Sequence, residues 1–99
     1  MSRKLTVKQQ EMSKKYATEI AKYVALVKQA EAVQAEMNES GKFDQYEIYV
    51  VYSGTMEQAT DVLDDLEWQV QNDCGSIPYK ASRNKTVDAF MAYVKSLAE

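Results

Sequence analysis

The chain has 99 residues, with 12 Lys and Arg against 15 Asp and Glu, no histidine and a formal net charge of −3. That length makes one domain with a modest core. The missing imidazole excludes Ser-His-Asp and Cys-His catalysis, histidine-held zinc or haem, and the usual proton shuttle near neutral pH.

The first element is one long amphipathic helix over residues 5–40, because neither Gly nor Pro occurs before Gly41. Thr6 followed by Gln9 has the spacing of a capping box, with Leu5 placed to pack back as a staple. Tyr16, Ile20, Tyr23, Val27, Ala30, Gln34 and Met37 follow in alternating steps of four and three, a heptad seam with one polar interruption. Ala17, Ala21, Val24 and Leu26 widen the stripe until it can serve two neighbours. From Thr6 to Ser40 such a helix is about 50 Å long, whereas a compact domain of this length is roughly 30–35 Å across. An overhanging helix must fold into a hairpin or be covered. With no breaker inside it, the expectation is cover by a second copy, and self-association through Tyr16, Ile20, Tyr23, Val27 and Met37. Asn38 to Gly41 supplies the stop, with glycine just past the end.

Residues 46–52 (YEIYVVY) are rich in β-branched and aromatic side chains and predict a strand. Tyr46, Ile48, Val50 and Tyr52 face one way; Glu47, Tyr49 and Val51 face the other. A lone strand cannot satisfy its own backbone. Its partner is either residues 76–81, where Pro78 suits an edge, or the same strand of a second copy. The second option adds Ile48 and Val50 to the self-association set.

A second helix is expected to open at Thr55, with Gln58 three residues on. Its inner stripe is Ala59, Val62, Leu63, Leu66 and Val70. Glu57, Asp61, Asp64 and Asp65 gather on the outer side, Glu67 and Asp73 lie nearby, and Trp68 falls off the inner stripe. Asp73 to Ser76 ends it. A third helix starts between Ser82 and Thr86, with Val87, Phe90, Met91, Val94 and Leu97 on one face. The expected fold is α+β and mostly helical, as a single domain over residues 1–99. A long N-terminal helix is followed, over 42–99, by strand, helix, loop and helix.

Charge is unevenly placed. Residues 1–15 carry five Lys and Arg against one Glu, while residues 42–77 hold Lys42 against eight carboxylates. Basic ends thus flank an acidic middle. The acidic helical face around Trp68 is the candidate partner-binding surface: Glu57, Asp61, Asp64, Asp65 and Trp68. Carboxylates in that pattern can meet a basic protein surface, and an exposed Trp among them is a hot-spot candidate. Asp61 and Asp65, one turn apart with Asp64 beside them, are also the nearest thing to a hard-metal site, but a solvated face is the plainer reading, and no metal or other cofactor is expected. Ser53-Gly54-Thr55, read as a strand-to-helix turn, offers amides to an anion, although no P-loop lysine follows. Cys74 is the only cysteine, so no intrachain disulfide can form. The seven tyrosines suit packing faces and interfaces more than base stacking.

The basic N-terminal turns give the alternative. Arg3, Lys4, Lys8 and Lys15 can contact nucleic-acid backbone electrostatically. Residues 3–16, RKLTVKQQEMSKKY, resemble the opening of phage small terminase subunits, in which an LTxKQ-type helix start precedes a helix-turn-helix. The resemblance covers about a seventh of the chain. It departs where the family turns, since the first helix here is read as running on through Ala17 to Met37. It implies DNA association and assigns no individual residue.

The favoured reading is a small non-catalytic adaptor, regulator or inhibitor. It self-associates through its long helix, most simply as a homodimer, and binds another protein through the acidic face. No secretory signal and no apolar run near membrane-spanning length are visible, so a cytoplasmic location is expected, in a cell or in something that infects it. The alternative is a nucleic-acid-associated dimer.

Overall fold

The structure, a computed structural model, describes residues 6–73 and 85–99. Its elements are α1 (Val7–Lys15), α2 (Ala17–Ser40), α3 (Gln45–Asp73) and α4 (Lys85–Leu97). Among the described residues there is no strand, which overturns the α+β expectation. The predicted edge strand at 76–81, the Leu5 staple, Arg3, Lys4, Cys74, Tyr79 and the start of the last helix before Lys85 lie outside the described residues.

Helix α1 starts as its sequence dictates. The Thr6 hydroxyl accepts from the Gln9 amide and the Gln9 side chain accepts from the Thr6 amide, both at 3.1 Å. The expected single N-terminal helix is in fact two. At Tyr16 the backbone leaves helical geometry (φ −106°, ψ 20°) while its N–H still reaches the Met12 carbonyl at 3.0 Å. No Gly or Pro sits there. The bend coincides with burial of Tyr16, whose ring packs on Phe90 with centroids 6.3 Å apart and whose hydroxyl hydrogen-bonds the Asp73 carboxylate. Tertiary packing, not a local breaker, sets this joint. Helix α2 ends as expected, on Gly41 in the left-handed region at φ 68°, where a Cβ is strained.

The strand expectation fails at α3. Residues 46–52 are the first two turns of a 29-residue helix. Asp44 caps it: the Glu47 amide donates to Asp44 Oδ1 at 2.8 Å and the Asp44 amide donates to Glu47 Oε1 at 3.3 Å. This reciprocal box was present in the sequence. So was a helical period running through the tract: Ile48, Tyr52, Met56, Ala59, Leu63, Leu66 and Val70 continue one inward stripe. β-propensity is a weak, context-dependent preference, and here a cap plus a seven-member stripe outweighs it. Gly54 lies in the helix interior, and Thr55, expected to begin a helix, instead donates its hydroxyl to the Val51 carbonyl one turn back at 3.3 Å. The Ser53 to Thr55 amides therefore belong to a continuous helix and are not an anion-binding turn.

Helix α3 runs back along α2. The two helices are about 36 and 44 Å long at 1.5 Å per residue, and they account for the elongated shape, 49 × 32 × 21 Å with a radius of gyration of 16.2 Å. The long N-terminal helix is thus covered by its own chain. Helix α4 packs on α3 and reaches the α2 side of the molecule, where Phe90 meets Tyr16 at the α1–α2 joint and Glu99 lies beside Lys28. One core joins Met12, Tyr16, Ile20, Tyr23 and Val27 to Ala59, Leu63, Leu66 and Val70, and both groups to Val87, Phe90, Met91, Val94 and Ala98. Ala30 and Ile48 are the buried residues nearer the other end. The base of the molecule therefore packs four helices together, while the α2–α3 tip is a two-helix hairpin.

Candidate functional surface on helix α3

Helix α3 has two unlike faces. At 100° per residue, Ile48, Ala59, Leu63, Leu66 and Val70 fall in one sector and are buried. Glu57, Asp61, Asp64 and Trp68 fall within about 60° of one another on the opposite side, and Asp65 lies just beyond. All five of these residues are exposed. Trp68 stands in the middle of that sector with 62% of its surface in water. The structure thus brings together the whole set expected on the acidic face, and places it on one rigid helix.

Nothing on α3 neutralises this face. The helix holds Glu47, Glu57, Asp61, Asp64, Asp65, Glu67 and Asp73 and no Lys or Arg. Lys15 pairs with Asp73 at 2.7 Å, at the C-terminal end of the helix. Glu57 with Asp61 and Asp61 with Asp65 are like charges one turn apart, each pair destabilising the helix by roughly 0.2–0.5 kcal/mol. No group of described residues is arranged to hold a metal ion.

The self-association residues are placed differently from what the seam suggested. Tyr16, Ile20, Tyr23 and Val27 are buried within the chain, and so is Ile48. Their apolar faces are occupied by α3 and α4. Met37 is half-buried and Val50 is exposed. Of the nucleic-acid candidates, Lys8 is exposed, and Lys15 is engaged with Asp73 and lies 5.6 Å from the centroid of the Tyr16 ring.

The sequence reading missed one exposed group. Phe43, Tyr46, Tyr49, Val50 and Val51 surround the start of α3 and are 40–74% exposed. Read as a strand, four of them alternate between two covered faces. Read as a helix from the Asp44 cap, they fall away from Ile48 and point outward. The cap was the signal that could have found them.

Tyr23, at the α2–α4 contact, has its phenol pushed up from the usual value of 10.0, first by burial and then by the neighbouring carboxylate of Glu99. Among the described residues, no helix is long and apolar enough to cross a membrane. Compared with known proteins, the chain matches no family model, no curated protein and no solved structure.

Proposed function

We propose that the protein is a non-catalytic binding module that engages another protein through the outer face of α3 that carries Trp68. The observation that supports this most is Trp68 itself. An indole left mostly in water forgoes on the order of 2 kcal/mol of burial, and here it stands among four carboxylates on the side of the helix away from the core. An exposed aromatic bordered by a row of charge has the composition of a binding hot spot. The carboxylates steer a basic partner and the indole anchors it. The absence of histidine and the small size of the chain support the non-catalytic half of the reading.

The test is differential retention. The wild-type chain, Trp68→Ala and the combined Asp61→Asn, Asp64→Asn and Asp65→Asn variant are immobilised and exposed to the same lysate. A protein held by the wild type and lost from both variants supports the reading. Identical retention by all three overturns it. All four substituted residues are exposed, so the fold should survive, and circular dichroism checks that it does.

A further inference from the structure

The acidic face continues past Glu57 into the exposed apolar group at the hairpin tip. Tyr46 and Val50 fall in the same roughly 60° sector as Glu57, Asp61, Asp64 and Trp68. Tyr46 is 74% exposed, Val50 49% and Trp68 62%. The positions 46, 50, 57, 61, 64 and 68 follow two eleven-residue repeats of steps 4, 3 and 4, with one member left out at residue 53. That gap holds Ser53 and Gly54, whose small side chains keep the ridge low, and a Cβ built at Gly54 would meet nothing within 4 Å. Helix α3 therefore carries two seams. The inner one packs on α2. The outer one runs about 33 Å from Tyr46 to Trp68, apolar at both ends and anionic in the middle.

We infer that this outer seam docks a helix of a partner protein whose own seam is apolar at both ends and cationic in the middle. The inference rests on the reading of the α3 face given above and extends it along the whole helix. The charge pattern selects the occupant. Glu57, Asp61 and Asp64, with Asp65 beside them and no Lys or Arg on α3, call for Lys or Arg opposite Glu57 to Asp64, and the aromatic and aliphatic ends call for apolar side chains opposite Tyr46 and Trp68. A second copy of this chain fits poorly, because two α3 outer faces would set carboxylate against carboxylate. Like charges juxtaposed across an interface oppose association.

The probes are two synthetic helical peptides of 24 residues with the same composition and the same net charge. One carries Leu in its outer turns and Lys in its central turns; the other has the two blocks exchanged. Binding to the full chain is measured by calorimetry at 0.15 M salt. The matched peptide should bind about tenfold or more tighter than the exchanged one, a difference of one decade in Kd. Equal binding, preference for the exchanged peptide, or no binding by either overturns the inference. Tyr46→Ser with Val50→Ser should weaken the matched peptide by about tenfold and leave the circular dichroism spectrum unchanged. If the triple Asn variant abolishes binding while this double variant does not, the acidic face stands as a binding surface and the extension to the tip falls. Light scattering on the same samples covers the remaining occupant: a dimer lost in the double variant would give the seam to a second copy and overturn the inference.

Discussion

Gly54 sits inside α3 with open space where a Cβ would go. Glycine in a helix interior is roughly 0.5–1 kcal/mol worse than alanine, so Gly54→Ala should raise stability by about that amount in urea unfolding. The result also bears on the secondary structure, since a strand-to-helix turn at this position would gain nothing. Gly41 behaves in the opposite sense. Its φ of 68° is one that alanine adopts only with strain, and Gly41→Ala should destabilise by about 1 kcal/mol. Tyr23 ties stability to pH. Its phenol is raised from 10.0 by burial and by Glu99, so the folded state holds the proton more tightly than the unfolded state. The associated stability is present below pH 10 and is lost as pH rises through the folded value. Urea midpoints followed from pH 8 to 11 should fall at the alkaline end, and Tyr23→Phe should flatten part of that fall.

At the scale of the elements, α3 depends on its first turn and α4 on one side chain. Asp44 satisfies the Glu47 amide and receives the return bond, so Asp44→Ala should cost about 0.5–2 kcal/mol. The loss should appear as fraying of residues 45–52 in hydrogen exchange, with the base of the molecule unchanged. Phe90 is fully buried, between Tyr16 and Tyr93 with ring centroids 6.3 Å away on each side. It joins α4 to the α1–α2 joint. Phe90→Ala should cost about 3–5 kcal/mol, a large part of the 5–15 kcal/mol by which a domain of this kind is held. A midpoint shift worth less than about 1 kcal/mol would mean that α4 does not pack as described.

The whole molecule is unevenly built. Most of its buried side chains belong to the base, where α4 and α1 close over α2 and α3, and the tip is buried chiefly at Ala30 and Ile48. Local opening free energies follow buried apolar contact. Backbone amides of residues 33–40 and 48–54 should therefore exchange through openings at least about 2 kcal/mol cheaper than those around Leu66 and Val94. Uniform protection along α3 would show that the tip is held by something other than these two residues. The tip also carries Tyr46 and Val50, so partner binding along the outer seam should raise protection most there.

Several features were legible in the residues alone. Thr6 with Gln9 gave the start of α1, and Gly41 the end of α2. The inward stripe from Ala59 to Val70 and the α4 face from Val87 to Val94 were visible because each depends on near neighbours in sequence. The acidic face around Trp68 was visible for the same reason: spacing within one helix decides which residues share a side. Three decisions belonged to the tertiary structure. Residues 46–52 are helical although their side chains favour strands, because the Asp44 cap and the packing of Ile48 against α2 act together. Tyr16 bends the first helix because its ring and hydroxyl are held by α4 and the end of α3. The seam from Tyr16 to Val27 lies inside the chain because a 29-residue α3 was available to cover it. Periodicity shows that a stripe must be buried; only the path of the remaining chain decides what buries it.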